Sequence, residues 1–274
     1  GRYHLYVSYA CPWAHRVLLT RALRGLESAV SVDVLDPYRG EMGWQFTPDR
    51  DGCTRDTVNG FEYLHETYAA ADPEYTGHVT VPVLWDRQTE TIVNNESREI
   101  MRMLDTAFET EGNGIDLYPE GYREAVDGVI DELYEPVNNG VYRAGFADSQ
   151  AAYSEAVDRL FDALDRWDRV LADQRYLVGD RLTEADVAIF TTLVRFDHVY
   201  HTDFKCNRRA IHEYEHLWPY LRYLYQTPGV AETVLMDHIK DEGYYQGEIT
   251  PIGPDIDFDA PHDRDRLAED PIRG

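Results

Sequence analysis

The chain has 274 residues, which is enough for two domains with substantial hydrophobic cores. Its 51 acidic residues outnumber the 26 lysines and arginines, for a formal charge of -25 at pH 7, and this excludes nucleic acids and anionic membranes as partners because both require a basic face. Only Lys205 and Lys240 are lysines, and such an acidic, lysine-poor surface is typical of extreme halophiles, although an ordinary acidic protein is the alternative.

The cysteine content indicates a reducing compartment. Cys11, Cys53 and Cys206 are the chain's 3 cysteines, too few and too scattered for a disulfide framework, and no C-x-x-C zinc pair occurs. The sequence contains no apolar run of about 18 residues and no signal-peptide pattern at its start. We therefore predict a cytoplasmic protein without a metal site, and we expect further residues before Gly1, because the chain opens almost directly on a strand pattern.

The first part of the chain alternates between strand and helix patterns. Alternating or β-branched apolar residues predict strands at residues 3–9 and 29–35 and a pair of strands within residues 79–93. Helical spacing predicts helices from Ala14 to a glycine at residue 25, within residues 61–72 and within residues 94–108. The resulting order, β-α-β-α-β-β-α, is that of a thioredoxin-like domain.

A proline interrupts one of these strand patterns. Pro82, in the run VTVPVL, has no amide to donate to a neighbouring strand, so it marks a bend. A cis peptide bond is the expected form, because X-Pro is where cis costs least. We expect the bend to bring the backbone of Val81 near the loop that carries Cys11.

The second part of the chain is helical. Residues 109–121, rich in glycine and acids, predict a linker, and helical patterns follow, one of which begins with a capping box formed by Thr183 and Asp186. The tail is irregular and rich in proline, and we expect it to pack on the helical domain. The predicted ranges are 1–108 for the thioredoxin-like domain, 109–121 for the linker, 122–243 for the helical domain and 244–274 for the tail.

Cys11 lies between the first strand and the first helix. A thiolate there is stabilised by the partial positive charge and free amides of the helix N-terminus, and Pro12 suits the first helical position. Because Ala14 replaces the second cysteine of a redox pair, an external thiol must resolve any mixed disulfide. An inert buried cysteine is the commoner alternative in general. The position nevertheless favours a reactive sulfur, which we expect to be ionised and accessible to substrate.

The domain order resembles that of the glutathione transferases, and a set of motifs resembles the xi class, the glutathionyl-hydroquinone reductases. In chain order these motifs are YACPWAHR, VTVPVLWD, NNESREI, NNGVYRAGFA, VRFDHVYHTDFKCN and HIKDEGYYQGE. The resemblance spans nearly all of residues 2–262. It implies an α/β plus all-α architecture, in which a thioredoxin-like N-terminal domain is followed by a helical domain of the glutathione-transferase type.

The resemblance also implies a reaction. Members of the family remove a thiol peptide from a glutathionylated hydroquinone: a cysteine thiolate, here Cys11, attacks the peptide's sulfur and the hydroquinone leaves. A second thiol then reduces the mixed disulfide. The implied co-substrate is glutathione or γ-glutamylcysteine, the partners are this thiol and the hydroquinone conjugate, and a homodimer is the expected assembly.

Two groups of binding residues follow from the same resemblance. Glu96 and Ser97 match the pair that binds the γ-glutamyl end, although a simple helix N-cap is a compatible alternative role. Val81, preceding Pro82, matches the backbone partner of the cysteinyl amide, and Trp44 matches a residue lining the thiol-peptide site.

The second group consists of Tyr142, Tyr200 and Tyr245, which match tyrosines that donate to the quinone-like oxygen and so assist departure of the aryl group. The chain has 20 tyrosines, most of which are expected to be packed or surface residues. Only the motif match selects these three.

Some positions depart from the family pattern. Asp203 and Gly243 stand where histidines are usual, and His78 stands where an arginine would serve the peptide's glycine carboxylate. Loss of that cation, together with the halophilic composition, motivates the hypothesis that γ-glutamylcysteine is the physiological thiol. An omega-like thiol transferase acting on mixed disulfides or dehydroascorbate is the alternative enzyme, and a non-catalytic interaction module is the alternative from another class.

Overall fold

The computed structural model describes residues 1–108, 110–240 and 256–264, which form two compact units. The first unit comprises Gly1–Gly114 and the segment that begins at Glu232, and the second comprises Ile115–Ala231 and the described part of the tail. Residues 232–240 therefore belong with the first unit, whereas the sequence analysis assigned them to the helical domain. Their polar contacts explain the difference: Thr233 Oγ1 lies 2.9 Å from His15 Nε2.

The first unit has the thioredoxin-like element order predicted from the sequence. Its elements are β1 (Tyr3–Val7), α1 (Pro12–Leu23), β2 (Val30–Val34), α2 (Leu64–Ala71), β3 (Val83–Asp86), β4 (Thr91–Asn94) and α3 (Ser97–Thr106). The strands form one sheet in the order β2-β1-β3-β4, with β1 parallel to β2 and the other pairs antiparallel. The parallel pair requires a crossover, which α1 supplies.

Burial of the central strand explains how this unit holds together. Leu5, Tyr6 and Val7 of β1 are fully buried, as are Ile100 and Leu104 of α3. After α1, Gly25 has a φ of 65°, a left-handed conformation that favours glycine and ends the helix as predicted. Because β1 ends at Val7, the residues between it and α1 form the short loop that carries the first cysteine.

The second unit is helical. Its α-helices are α4 (Arg123–Leu133), α5 (Gly140–Gly145), α6 (Gln150–Val170), α7 (Glu184–Arg195) and α8 (Leu217–Tyr225), and the last helix, α9 (Met236–Lys240), belongs to the first unit. The predicted capping box is present at the start of α7. Two π turns, Tyr134–Asn138 and Phe196–Tyr200, directly follow α4 and α7.

The described part of the tail packs on this second unit. Arg264 is 1% exposed, and its guanidinium donates to the carbonyl oxygens of Leu171 and Gln174 at 3.0 and 2.6 Å. These carbonyls follow the C-terminus of α6, where a cation is electrostatically favoured. Gln226 Nε2 in turn donates to the carbonyl oxygen of Phe258 at 2.8 Å.

A buried histidine on α9 predicts acid sensitivity of the first unit. His238 Nε2 lies 2.7 Å from the carbonyl oxygen of Asp51, and burial lowers the histidine's pKa from its ordinary value. The unfolded chain therefore takes up a proton before the folded one, so stability is lost as pH falls below the ordinary value of 6.5. We expect Tm to fall between about pH 7.5 and 5.5, and to fall less in His238→Gln.

Circular dichroism melts across this pH range check the expectation. His78→Gln is the matched control, because His78 is exposed. If Tm falls equally with pH in the wild type and in His238→Gln, His238 is not the source of the acid sensitivity.

Candidate functional site

Cys11 occupies the position predicted for it at the start of α1. It is the N-cap residue, with extended backbone, and Pro12 is the first residue of the helix. Its amide donates to the carbonyl oxygen of Ser8 at 3.1 Å, which closes the loop after β1. Because Cys11 is the N-cap residue, its side chain adjoins the positive end of the helix. The thiol makes no capping hydrogen bond there.

The accessibility of this cysteine differs from the expectation. Cys11 is 3% exposed and belongs to the core of the first unit. Its Sγ lies 3.7 Å from the carbonyl oxygen of Val81, to which the thiol donates. The predicted cis bond is present between Val81 and Pro82, and the contact with Cys11 confirms that this backbone lies beside the cysteine loop. The bend therefore brings a backbone acceptor to the sulfur of a cysteine that is buried in the core of the first unit.

Trp44 lies in the loop after β2 and is 3% exposed. Its carbonyl oxygen accepts from the amide of Leu64 at 2.9 Å, which ties the loop to the start of α2. The guanidinium of Arg39 lies over the indole ring at 5.9 Å from its centroid. The ring is therefore held between the core and a cation.

Glu96 and Ser97 begin α3. Glu96 is the N-cap residue and Ser97, which is 7% exposed, is the first helical residue. Asn94 Oδ1 accepts from the amide of Glu96 at 2.7 Å, while Glu96 makes no side-chain cap bond to the helix. First-turn amides without a side-chain cap are suited to bind a carboxylate.

A polar network that the sequence analysis missed connects the cis-proline bend to the start of α3. Tyr68 Oη donates to the carbonyl oxygen of Thr80 at 2.8 Å, and Asn95 Nδ2 lies 3.2 Å from the same hydroxyl and 3.3 Å from Thr80 Oγ1. Thr80 and Asn95 both lie within the quoted motifs, but their meeting through Tyr68 is a tertiary contact. The network holds the residues beside Val81 and Glu96 in one arrangement.

In the second unit, the structure brings together two of the three predicted tyrosines. The hydroxyls of Tyr142 and Tyr200 lie 3.3 Å apart, and their ring centroids are 5.8 Å apart. Tyr200 is 1% exposed and Tyr142 is half-buried. Tyr245, the third, lies outside the described residues, as does Gly243.

Two phenylalanines complete an aromatic cluster around this pair. The ring centroid of Phe204 lies 5.5 Å from that of Tyr142 and 5.4 Å from those of Tyr200 and Phe146. Phe146 is 66% exposed, so the cluster has an apolar face in solvent. Both phenylalanines lie in the motifs with the tyrosines, and the sequence analysis missed them because a motif match to tyrosines gives no signal for neighbouring rings.

The other two cysteines are Cys53 and Cys206. The 3 cysteines all lie in the described residues and none forms a disulfide. Burial raises the pKa of Cys206 to about 12, and burial also raises the pKa of Cys53. Both are therefore poor sources of thiolate at neutral pH.

Other predicted features lie at the surface. The side chains of His78 and Asp203 are exposed. Packing of neighbouring atoms around the carboxyl group of Asp203 still removes some of its water, and this desolvation raises its pKa. Within the described ranges, no three histidine, cysteine or carboxylate side chains are grouped so as to hold a metal ion. In that same part of the chain, none of the helices has the length and apolar character needed to cross a membrane.

Known protein families match the chain in both of its units. The family model of the glutathione S-transferase N-terminal domain matches residues 10–107, and that of the C-terminal domain matches residues 150–222. The glutathionyl-hydroquinone reductase YqjG of Escherichia coli strain K12 is 50% identical over 272 residues, covering 96% of this chain and 83% of that protein.

Two solved structures are similar over nearly the whole chain. A xi-class glutathione transferase from Natrialba magadii is 63% identical with a TM-score of 0.94, covering 98% of this chain and 86% of that one. The glutathione-bound structure of YqjG from Escherichia coli K-12 is 49% identical with a TM-score of 0.92, covering 96% of this chain and 88% of that one.

Proposed function

Since the chain belongs to the glutathionyl-hydroquinone reductases, the xi class of the glutathione transferases, we propose that it is the enzyme that removes a thiol peptide from thiol-conjugated hydroquinones. The observation that carries the proposal is the position of Cys11. Its sulfur adjoins the start of α1 and lies 3.7 Å from the carbonyl oxygen that precedes the cis-proline. The helix start favours a thiolate. The Val81 carbonyl, which accepts from the neutral thiol in this structure, is the acceptor that the proposal gives to the cysteinyl amide of the bound peptide.

In the first step, the Cys11 thiolate attacks the sulfur of the conjugate. The ring reacts as its keto tautomer, in which a hydroxyl proton has moved to the sulfur-bearing carbon. A disulfide bond forms between the enzyme and the thiol peptide, the carbon–sulfur bond breaks, and its electron pair passes through the ring to the oxygen, which takes up a proton to give the hydroquinone. In the second step, the thiolate of a second peptide attacks the mixed disulfide and releases Cys11. The products are the free hydroquinone and a peptide disulfide. The thioether sulfur of the conjugate and the sulfur of the second thiol are thus oxidised, and the ring is reduced by two electrons.

The thiol peptide is bound by the first unit. Ser97 and the first-turn amides of α3 hold the α-carboxylate of the γ-glutamyl group, and Glu96 holds its ammonium. The backbone of Val81 pairs with the cysteinyl amide, and Trp44 lines the site. Support for these roles comes from the start of α3, where the side chain of the N-cap residue Glu96 makes no hydrogen bond to the helix amides.

The aromatic leaving group is served by Tyr142 and Tyr200, with Tyr245 as the third donor. A phenolic hydroxyl that donates to the ring oxygen stabilises the negative charge that develops as the carbon–sulfur bond breaks. The 3.3 Å separation of the Tyr142 and Tyr200 hydroxyls supports a shared acceptor oxygen. This requirement distinguishes the proposal from the omega-like alternative, because a disulfide leaving group needs no such donor.

The physiological thiol is glutathione or γ-glutamylcysteine, and both share the γ-glutamyl end that the start of α3 is proposed to bind. His78 is exposed and replaces the arginine of the family pattern, which favours the shorter thiol. The consumption of a thiol in the reaction and three cysteines without a disulfide support a reducing compartment such as the cytoplasm.

We expect Ser97→Ala to raise the KM for the thiol roughly tenfold, because a hydrogen bond to a charged carboxylate is lost. The value of kcat is expected to stay near that of the wild type once the thiol saturates. Steady-state kinetics with varied thiol measure both quantities. Ser149→Ala is the control, since Ser149 also starts a helix and accepts from the amide of Ala152 at 3.2 Å. A thiol KM unchanged in Ser97→Ala would contradict the binding role.

The experiment that tests the function is a dethiolation assay in concentrated salt. Purified protein is mixed with a glutathionyl-hydroquinone and either glutathione or γ-glutamylcysteine, and the products are separated by chromatography. Free hydroquinone and one peptide disulfide per turnover are expected. Failure of both thiols to release hydroquinone would reject the proposal, and turnover of mixed disulfides alone would favour the omega-like alternative. Equal catalytic efficiency with both thiols would reject the preference for the shorter one.

We further propose a homodimer adapted to high salt. At a formal charge of -25, self-repulsion weakens both folding and assembly until salt screens it. We expect Tm to rise by roughly 10 °C between about 0.1 and 2 M KCl, with the dimer dissociating at the lower concentration. Calorimetry and light scattering measure these effects, and sucrose of equal osmolality is the control. A Tm independent of salt would contradict the adaptation.

A further inference from the structure

A buried amide connects the two helical segments that carry Tyr142 and Tyr200. Asn138 is the last residue of the first π turn and is 2% exposed. Its Nδ2 donates to the carbonyl oxygen of Ala188 at 2.9 Å and to Thr192 Oγ1 at 2.8 Å. Both acceptors lie on α7, so one side chain joins the first π turn to that helix.

The two tyrosines lie close to this amide along the chain. Tyr142 follows Asn138 by about one helical turn, and Tyr200 ends the second π turn, about two turns beyond Thr192. In each π turn an amide donates five residues back, from Asn139 to Tyr134 and from His201 to Phe196, both at 2.8 Å. Such turns shift the direction of every later side chain and occur frequently at functional sites.

The distance between the two hydroxyls depends on how the first π turn lies against α7. At 3.3 Å, the distance between the Tyr142 and Tyr200 oxygens is longer than the usual hydroxyl hydrogen bond of roughly 2.5–3.0 Å. A small slide or rotation of the first π turn against α7 would therefore separate them. Apolar packing tolerates such a slide, whereas two directional hydrogen bonds from one buried amide specify a single arrangement.

The side-chain oxygen of Asn138 also supports a positioning role for this residue. Asn138 Oδ1 accepts no hydrogen bond from the residues that the structure describes, although it is buried. A buried acceptor without a donor lowers stability. An apolar side chain of similar volume would avoid this cost but would lose both hydrogen bonds to α7. What the amide adds beyond apolar packing is therefore a defined arrangement of the two segments.

We propose that Asn138 is a positioning residue for the Tyr142–Tyr200 hydroxyl pair. Its amide fixes the first π turn against α7, and thereby fixes the distance over which the two hydroxyls share one acceptor oxygen. The inference rests on the proposed role of these tyrosines in dethiolation. It assigns Asn138 no contact with the substrate.

The test compares two reactions that both use Cys11. Asn138→Ala is expected to lower kcat for dethiolation of a glutathionyl-hydroquinone roughly tenfold to a hundredfold, and to leave reduction of a glutathione mixed disulfide within about twofold. Thr192→Val, which removes one acceptor, is expected to act in the same direction. Thr183→Val is the matched control, because Thr183 caps the opposite end of α7. Equal losses in both reactions would overturn the proposal, since a purely structural defect lowers both.

A double-mutant cycle tests whether Asn138 acts through the tyrosine pair. Asn138→Ala is expected to cost no further dethiolation activity in a Tyr142→Phe background, because the pair is already broken. Independent, multiplicative losses in the double variant would overturn the proposal.

A readout that needs no turnover separates this inference from the proposed function. With ¹³C-labelled tyrosine, Asn138→Ala is expected to shift the Cζ resonances of Tyr142 and Tyr200, and Thr183→Val to leave them unchanged. Unshifted resonances in Asn138→Ala would reject the positioning role. A wild-type protein inactive in dethiolation would reject the proposed function. The tyrosine resonances would still report whether Asn138 fixes the arrangement of the Tyr142 and Tyr200 hydroxyls.

Discussion

Replacing Cys11 by serine is expected to lower the dethiolation rate roughly a thousandfold or more. A serine hydroxyl is almost fully protonated at neutral pH and forms no disulfide with the thiol peptide, so both chemical steps are lost. The measurement is release of hydroquinone under saturating conjugate and thiol. Mass spectrometry of the wild type, mixed with conjugate in the absence of a second thiol, is expected to find the peptide attached to Cys11.

Cys53→Ala is the control for this prediction. Burial raises the pKa of Cys53, so its removal is expected to leave the rate within about twofold of the wild type. Substantial turnover by Cys11→Ser, or attachment of the peptide at another cysteine, would require a different nucleophile. Burial of Cys11 adds a kinetic expectation: alkylation by iodoacetamide is slower than for an exposed thiol, because the core packing around the sulfur must open first.

Replacing Asp186 by alanine is expected to cause the largest loss of stability among single changes in the second unit, about 3–5 kcal/mol. Asp186 is 1% exposed, and its oxygens accept from the amides of Leu177 and Thr183 at 2.9 and 2.8 Å and from the hydroxyl of Tyr220 at 2.6 Å. Alanine leaves these donors buried without an acceptor. Denaturant unfolding in concentrated salt measures the change.

Asp180→Ala is the control, because Asp180 lies near the same helix but is exposed; its cost is expected to be within about 0.5 kcal/mol. Asp186→Asn is expected to fall between the two, since its amide retains one acceptor oxygen and introduces a donor facing donors. A loss below about 1 kcal/mol in Asp186→Ala would mean that water satisfies these groups after truncation.

The two regions of the proposed site differ in how far the sequence predicted them. The start of α1 followed from local chemistry, because a cysteine followed by proline suits a helix N-terminus. The bend at Pro82 followed in the same way. The contact between them joins residues far apart in the chain, and the resulting burial of Cys11 was opposite to the expectation of an accessible sulfur.

For the π turns, too, the sequence could predict one part of the structure and packing decided the other. Pro136 lies inside the first one, and a proline removes a helical hydrogen bond and crowds the preceding turn, so an interruption there was open to prediction. The consequence, a Tyr142 hydroxyl placed 3.3 Å from that of Tyr200, depends on how two helices pack. No spacing within either segment encodes that distance.

Local patterns of the chain were sufficient for the element order of the first unit, the capping box of α7 and the position of Cys11, because hydrophobic periodicity, capping and proline geometry act over a few neighbouring residues. Packing between distant segments set the return of residues 232–240 to the first unit, the Tyr68–Thr80–Asn95 network and the bridge from Asn138 to α7. These features depend on which donors and acceptors of distant segments meet when the chain folds, and patterns of neighbouring residues do not indicate which ones will meet.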